Sequence, residues 1–432
     1  MAHSVCAIFF WRAANWYSLP PLISSLHQLK NTVSTVEIKL EEYITEAQAN
    51  ELAKTYDLIL CLDSFQSTEA MKIAEKMRKR NTAPFSDFVY VAGGPHPSGD
   101  LRGTLEMGYD YVVVGEGEDA LKDLVSVLST DKKPKIVPEG VGRLKASGKI
   151  DFTPRKQRVN LDDYQPFVTQ PKNLHPPIEI ARGCPFGCKF CQVSYLFGYK
   201  PYYRSLAAIE RIANHYCNHF QKKTQLRFIA PNFLGYGSKT GRKPNLHALT
   251  ELIRTIKSFD VDLYAGTFPS TVRPDFINKD TARLLSENVA NKRISMGVQS
   301  GSPKILANIC GRGHSLQSVI DAHEHLENFN LKSSPDFILG IPGEQRSDQW
   351  QTIEFMKSLI EQFDAKPRIH YFIPLPGTPL GDQEPSLIDG EAWKEICELT
   401  RKKLAEGHFS KQKRLVKDLF RPATEIMPIQ SG

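Results

Sequence analysis

Three cysteines stand within eight residues of one another, in the segment Arg182 to Cys191 that we call the cysteine loop. Cys184, Cys188 and Cys191 have the spacing C-x3-C-x2-C, with glycine and proline between them, so the loop can wrap one inorganic centre. A structural zinc site usually takes four ligands as two separated pairs, and the sequence offers no second pair. Three thiolates can hold a 4Fe–4S cluster whose fourth iron stays open for another ligand. The spacing therefore favours an iron–sulfur cluster over zinc.

Two predicted strands end in glycine-rich turns, which let a backbone approach a large flat ligand closely. One turn runs from Gly93 to His96, and the other runs from Gly115 to Glu118. The first turn by itself is more typical of a simple tight turn than of a binding site. Ligands bind open parallel sheets at the carboxyl ends of their strands, so two such turns together favour a cofactor pocket.

The elements that position these turns follow a strand–helix alternation in residues 1–130. Continuous apolar runs separated by helical patterns predict a doubly wound parallel sheet with both faces covered, in an α/β fold. Residues 131–177 are rich in Pro, Gly and Lys, and we interpret them as a linker with a short hairpin around 142–150. The predicted strands of the sheet are 5–11, 33–40, 56–62, 88–92 and 111–114.

The cysteine loop follows the first strand of a second domain, predicted over residues 178–380. The length allows about six strand–helix units of roughly 30 residues each. An eight-unit barrel would need about 250 residues, so we predict a partial (β/α)6 TIM barrel with its active face at the carboxyl ends of the strands. Residues 381–432 are predicted to form a helical basic segment. The predicted barrel strands are 178–180, 226–230, 261–265, 294–298, 336–339 and 368–373.

The composition is that of an ordinary globular protein. Of 432 residues, 41% are hydrophobic and 24% are charged, which excludes a largely disordered chain or a coiled coil. No apolar stretch approaches the about 20 residues of a membrane span, and no secretory signal is visible, so we expect a cytoplasmic protein without a membrane partner. The net charge is +7, and we interpret the basic run 401–421 as a solvated helix face, not a nucleic-acid site.

With these motifs in place, the chain resembles the radical S-adenosylmethionine (SAM) superfamily. Phe190 precedes the last cysteine, and the later strand ends follow the order of the family's SAM-contacting segments. The resemblance implies that Cys184, Cys188 and Cys191 bind the cluster and that Gln299 and Ser300 face the ribose or the methionine carboxylate. It places the SAM contacts at Phe190, Asn232, Gln299, Ser300, Gly340, Ile341, Pro342 and Gly343.

The first domain resembles the Rossmann-like cobalamin-binding domain that precedes many radical SAM enzymes. The motif Asp-x-His-x-x-Gly, whose histidine binds cobalt from below, is absent; the nearest string, 321–326, lacks the glycine. We therefore expect no histidine under the cobalt, with residues between Arg12 and Ser18 or near Ser64 positioned there. The resemblance places the cobalamin contacts at Ser18, Ser64, Phe65, Gly93, Gly94, Pro95, His96, Gly115, Glu116 and Gly117.

The resemblance implies a C-methyltransferase that uses one SAM as radical source and a second as methyl donor through cobalamin. A polar methyl transfer needs a nucleophile, and an sp3 carbon is not one, which is why the two cofactors are combined. We expect a protein or small-molecule substrate, with a protein side chain such as a glutamine of methyl-coenzyme M reductase favoured, and an external electron donor. Two alternatives stay open: a cyclase or rearrangement enzyme without methyl transfer, and a non-catalytic cobalamin or redox sensor.

Histidine pairs outside these motifs are interpreted as structural. His215 and His219 have the i, i+4 spacing of a helical metal pair, but no third ligand is near them in the sequence, so we predict surface histidines. His323 and His325 point to different helix faces, and we interpret them in the same way.

Overall fold

A computed structural model describes residues 4–31, 35–77, 85–219, 224–309 and 313–419. It confirms the predicted fold class: an α/β domain with a parallel sheet is followed by a partial barrel. The predicted C-terminal segment 381–432 is described as far as residue 419, and residues 420–432 lie outside the described ranges. No helix in those ranges combines the length and the apolar character that a bilayer crossing needs.

The N-terminal domain is built on a seven-stranded sheet with the order β2-β1-β3-β4-β5-β6-β7. Strands β1 to β5 pair in parallel, while β6 and β7 are antiparallel. The order reverses beside β1, so this is the switch point beside which open sheets of this kind bind ligands. The strands are β1 (Ser4–Phe10), β2 (Thr35–Glu41), β3 (Leu58–Ser64), β4 (Val89–Gly93), β5 (Tyr111–Val113), β6 (Val141–Leu144) and β7 (Ile150–Phe152).

Helices cover both faces of this sheet because its central strands are apolar on both sides. Neighbouring residues of β3 point to opposite faces: Leu60 packs into one core cluster and Cys61 into the other. The same division separates Ala7 from Cys6 in β1. The helices of this domain are α1 (Leu19–His27), α2 (Glu46–Thr55), α3 (Ala70–Met77), α4 (Pro95–Gly99), α5 (Leu101–Glu106) and α6 (Gly117–Leu128).

The hairpin expected inside the linker is present, but it belongs to the sheet. Strand β6 pairs antiparallel with β5, and β7 pairs with β6. Without this pairing the edge of β5 would expose unpaired backbone groups, which explains why the hairpin adds to the sheet. Residues 141–152 are therefore part of the first domain and not of a free-standing linker.

All six predicted barrel strands are present. They form two three-stranded parallel sheets, β8, β11 and β12 in one and β13, β14 and β15 in the other. The two sheets meet where the Ser295 N–H donates to the Gly266 carbonyl at 2.7 Å and Val272 bridges Met296. The strands of the second domain are β8 (Ile178–Glu179), β9 (Ala181–Arg182), β10 (Tyr202–Tyr203), β11 (Thr224–Ile229), β12 (Val261–Tyr264), β13 (Arg293–Gln299), β14 (Lys332–Leu339) and β15 (Arg368–Tyr371).

The barrel core is a single large apolar cluster between the strands and the outer helices. Leu226, Ile294 and Phe337 point into it from three strands and are fully buried or nearly so. The last helix of the described residues packs against β15, where the Phe409 ring contacts the Tyr371 ring. The helices of this part are α7 (Val193–Phe197), α8 (Leu206–His219), α9 (Leu246–Lys257), α10 (Lys279–Asn288), α11 (Leu316–Glu327), α12 (Arg346–Phe363), α13 (Gly390–Arg401) and α14 (Phe409–Leu419).

Candidate functional site

The cysteine loop leaves the barrel directly after β9 and is closed by backbone and hydroxyl contacts. The Ser194 hydroxyl donates to the Cys184 carbonyl at 2.8 Å and accepts from the Gly187 N–H at 3.2 Å. Gly187 has φ of +57°, a left-handed conformation that glycine adopts without strain. The Cys191 N–H donates to the Cys188 carbonyl at 3.0 Å, which turns the chain between these two ligands.

The three thiols of this loop suit a cluster with three cysteine ligands. Cys188 is buried, Cys184 and Cys191 are half-buried, and none of the three forms a disulfide. Burial raises the pKa of the Cys184 thiol, so iron itself must displace the proton when it binds. The loop therefore offers a partly enclosed set of soft ligands on one side of the barrel mouth.

Two of the predicted SAM residues differ in whether the protein already satisfies them. The Ser300 hydroxyl is bonded to Thr352 Oγ1 at 3.0 Å and accepts from the Ser302 N–H at 3.1 Å, so it stabilises the turn after β13. The Asn232 Oδ1 accepts from the Arg273 N–H at 3.3 Å, but its Nδ2 is buried and has no hydrogen-bond partner among the described residues. Such an orphaned donor fits a bound ligand that carries acceptor atoms, as SAM does.

The turn from Gly340 to Gly343 lies beside the cysteine loop through a small apolar cluster. Ile341 is fully buried in this cluster, and Phe190 packs against it from the cysteine loop. Gly340 has φ of +82°, and a Cβ atom there would come within 2.9 Å of the Tyr371 ring, so only glycine fits. Pro342 and Gly343 follow in the same turn. The packing thus brings together the cysteine loop and the fifth strand end, as the sequence predicts for a SAM site.

A buried carboxyl supports this turn. The Gly340 N–H donates to Glu344 Oε2 at 2.6 Å, while Glu344 Oε1 is buried and forms no hydrogen bond within the part of the chain that the structure describes. Burial raises the pKa of Glu344 to about 8, although the hydrogen bond from Gly340 opposes this. The group is therefore largely protonated at neutral pH and does not place a negative charge beside the site.

A cavity of about 260 Å³ lies between the carboxyl edge of the N-terminal sheet and the barrel; we call it the interdomain cavity. A Cβ atom at Gly93 would meet nothing nearer than Val113 at 3.7 Å, so the missing side chain leaves open space for a ligand. Gly115 has φ of +79° and an open Cβ direction as well. Eight predicted cobalamin contacts line this cavity: Ser18, Ser64, Gly93, Gly94, Pro95, Gly115, Glu116 and Gly117.

The other two predicted cobalamin contacts lie elsewhere. Phe65 is buried, with its ring stacked between His96 at 5.4 Å and Tyr109 at 6.1 Å. The His96 ring is paired with the Ser67 hydroxyl at 3.3 Å. Aromatic rings bury more apolar area by stacking in the core than they would on a cavity wall. Phe65 and His96 therefore support the cavity wall from behind and are not among the residues that line the cavity.

The residues expected beneath the cobalt, between Arg12 and Ser18, also lie partly on the cavity wall and partly away from it. Tyr17 and Ser18 line the interdomain cavity, whereas Arg12 turns inwards and forms an ion pair with Asp63. The Tyr109 hydroxyl donates to the same carboxylate at 3.1 Å. Among the described residues that line the cavity there is no histidine.

The barrel supplies the opposite wall of the interdomain cavity. Leu196 and Phe197 belong to α7, which begins two residues after Cys191. The helix that follows the cysteine loop therefore forms part of the cavity wall. The barrel residues on this wall are Glu179, Arg182, Leu196, Phe197 and Ile229.

Arg182 joins the two domains at the edge of the cavity, a role that the sequence analysis missed. Its guanidinium is buried and contacts Glu116 at 2.9 Å and Glu118 at 2.5 Å in the first domain, and Glu179 at 2.7 Å in the barrel. Burial opposes the charge on Arg182, but Glu118 and Glu179 outweigh it and raise the guanidinium pKa. Burial also opposes the charge on Glu179, but Arg182 outweighs it and lowers the pKa of Glu179.

Gln192 is a second domain-joining residue that the sequence analysis missed. Its Nε2 donates to the Pro95 carbonyl at 2.9 Å in the first domain and to the Pro376 carbonyl at 2.8 Å beyond β15. The residue directly follows Cys191, so it fixes the end of the cysteine loop against both domains. The signal available in the sequence was position alone, because Arg182 and Gln192 flank the cysteine motif on either side.

Family models match both domains. Residues 32–125 match the B12 binding domain, and residues 178–356 match the Radical SAM superfamily. A structure of the radical SAM methyltransferase TsrM from Kitasatospora setae, with cobalamin and a 4Fe–4S cluster bound, superimposes with a TM-score of 0.68. It shares 15% identity, and the match covers 88% of this chain and 74% of that one, which shows a common fold.

Relatives are also found by sequence. A protein of Pyrococcus horikoshii described as an uncharacterized methyltransferase is 26% identical over 359 residues, covering 79% of this chain and 73% of that protein. An uncharacterized protein of Methanopyrus kandleri is 29% identical over 233 residues, covering 52% of this chain. That match spans 43% of the Methanopyrus kandleri protein, less than half of its length.

Proposed function

The chain joins a B12-binding domain to a radical SAM domain and is a cobalamin-dependent radical SAM enzyme, and we propose that it methylates an unactivated sp3 carbon. One observation carries the proposal: the interdomain cavity and the cysteine loop are adjacent, because α7 begins two residues after Cys191 and lines the cavity with Leu196 and Phe197. When bound, the cluster with SAM supplies a carbon-centred radical, and cobalamin supplies a methyl group that does not require a nucleophilic acceptor.

The residues of the chain bind and orient these groups and exclude water. Cys184, Cys188 and Cys191 bind the iron, and the Asn232 amide donates to SAM. Gly93 and Gly115 admit a flat ring system against the backbone of the first domain. An apolar wall beside the ring matters because water and loose side chains quench or divert radicals, and Leu196 and Phe197 provide that wall.

The relative position of the two sites is fixed by buried contacts. Gln192 joins the end of the cysteine loop to Pro95, and Arg182 joins the barrel to Glu116 and Glu118. A transfer between two cofactors depends on distance and angle, because the reacting atoms must meet in a near-attack geometry. Arg182 and Gln192 are therefore positioning residues for this reaction.

The substrate favoured by the family resemblance, a side chain of another protein such as a glutamine of methyl-coenzyme M reductase, stays a prediction. An exposed basic face on α14, with Lys411 and Arg414, supports an acidic or protein partner, because its charge attracts acidic surfaces at long range. An external electron donor also stays a prediction, and any assay must supply a reductant in its place.

The proposal is tested with the reconstituted holoenzyme, a chemical reductant and SAM carrying a deuterated methyl group. Protein and small-molecule fractions from a strain that lacks the enzyme serve as separate substrate sources. We expect labelled methyl on carbon in one fraction, with S-adenosylhomocysteine and 5′-deoxyadenosine formed together. 5′-Deoxyadenosine without S-adenosylhomocysteine would select a rearrangement, and cobalamin binding with neither product would select a sensor.

A further inference from the structure

Three histidines that are distant in the sequence meet on the outside of the barrel. His175 lies in the segment that leads into β8, while His215 and His219 lie one turn apart on α8. Each offers a ring nitrogen, and the three nitrogens lie within 4.8 Å of one another. The ring centroids form a nearly equilateral triangle with sides of 5.6, 4.9 and 5.0 Å. We call these residues the histidine cluster.

The surrounding structure holds the cluster in place. The hydroxyl of buried Tyr216 donates to the Pro176 carbonyl at 2.7 Å, which ties the residue after His175 to α8. The Phe167 ring stacks on His215 with a centroid distance of 3.7 Å and an interplanar angle of 10°. The backbone of Val168 pairs with that of Leu174, which closes the loop before His175. These contacts fix two imidazoles before any ligand binds.

The electrostatics at His175 and His215 favour neutral imidazole rings, which can bind a metal ion, over protonated rings. Burial, together with the charges of His219 and His215, lowers the pKa of His175 to about 4. Burial and the charge of His219 also lower the pKa of His215. The rings of His175 and His215 are therefore neutral at physiological pH, the form in which imidazole binds metal ions. His215 Nε2 is buried and makes no hydrogen bond to another described residue.

We propose that His175, His215 and His219 bind a Zn²⁺ ion that fastens the segment leading into β8, which we call the connector, to α8. Imidazole ligands suit zinc and neighbouring transition metals, not calcium or magnesium. With Zn–N bonds of about 2.0–2.1 Å, tetrahedral ligand atoms lie roughly 3.4 Å apart. Rotation of the exposed His219 side chain brings its ring nitrogen towards those of His175 and His215, and its exposure leaves the fourth position to water.

The ion would act on the first barrel strand. His175 stands three residues before β8, and Pro177 and Glu179 line the interdomain cavity. Fixing His175 to α8 therefore fixes the rim of the cavity and the carboxylate that pairs with Arg182. This site is separate from the cysteine loop, and its existence does not depend on the proposed methyl transfer.

The test uses tag-free, full-length, cluster-reconstituted protein that has been dialysed against Zn²⁺ and then against metal-free buffer. Elemental analysis should find one zinc per chain besides the cluster iron. His219→Gln should weaken Zn²⁺ binding at least about tenfold, since removal of a ligand costs at least as much as loss of a supporting residue. His247→Gln, at an exposed histidine outside the cluster, should keep the zinc.

Two further measurements separate this site from the cysteines and from a packing role. A full-length variant with Cys184, Cys188 and Cys191 all replaced by alanine should still hold one zinc. Zn²⁺ should raise the melting temperature of the parent protein but not of His219→Gln. Equal zinc content in the parent and His219→Gln, or zinc that disappears with the cysteines, overturns the proposal.

Discussion

The cysteine loop gathers its three cysteines within eight residues, whereas the interdomain cavity is lined by residues scattered from Phe9 to Ile229. In the loop we expect each cysteine to be indispensable, because a cluster bound by three thiolates cannot lose one of them without losing an iron ligand. In the cavity the wall is shared among glycines, apolar side chains and a buried ion network, so a single change removes only part of it. The two sites should therefore respond differently to substitution.

The largest effect is expected in the cysteine loop. Cys188→Ala should abolish the cluster and the activity, while cobalamin affinity stays within about twofold, since most of the cavity wall lies in other elements. Iron analysis, the cluster absorbance and titration with hydroxocobalamin measure the two sites separately. Cys397→Ala, at an exposed cysteine, should leave all three unchanged. A variant at Cys188 that keeps its full iron content would overturn the ligand assignment.

The next largest effect is expected where the two domains meet. Arg182→Met leaves the carboxylates of Glu116, Glu118 and Glu179 buried without their cation, which should cost about 3–5 kcal/mol of stability. Anaerobic denaturant titration of the holoenzyme measures this loss. Arg254→Met removes an exposed ion pair with Glu251 and should cost less than about 1 kcal/mol. Equal losses in the two variants would mean that the buried network does not join the domains.

A smaller effect is expected on the cavity wall. Gly93→Ala places a methyl group in open space without backbone strain, because the nearest atom would be 3.7 Å away. Overpacking against a bound ring should cost at least about 1 kcal/mol, equivalent to roughly fivefold in cobalamin affinity. The iron content should not change. Gly390→Ala, where the added Cβ also meets nothing within 4 Å, serves as the matched control for affinity and stability.

Measured over a single pH unit, the smallest effect concerns the protonation of Glu344. Its pKa rises from 4.5 when unfolded to about 8 in the fold, so the folded state binds the proton more tightly. Its stability contribution is full below pH 4.5 and is lost as the pH rises towards 8, by on the order of 1 kcal/mol per pH unit. Glu344→Gln should flatten this slope of the unfolding free energy. An unchanged slope would show that Glu344 is ionised in the fold.

Sequence patterns predicted best where a function depends on neighbouring residues. Residue spacing predicted the cysteine loop and the two glycine turns, and apolar runs predicted the six barrel strands. Both signals come from residues that are close together in the chain. Phe65 and His96 were placed on the cavity wall because they adjoin those turns. The structure buries them instead, since stacked aromatic rings gain more from the core than from a cavity surface.

The histidine cluster shows where sequence patterns fail to predict a site. His215 and His219 looked like a surface pair because the third imidazole is far away in the chain. His175 reaches them only because the connector packs against α8. A long-range contact of this kind has no local periodicity, so no pattern in the sequence could indicate it.

By itself, the sequence determined the cysteine loop, the succession of strands along the chain and the glycines that keep the cavity open for a ligand, because these depend on local geometry and side-chain type. Only the tertiary structure decided which partners Arg182 and Gln192 join, and which histidines meet. Those contacts bridge residues far apart in the chain, and they form only when burial of the two cores has brought the domains together.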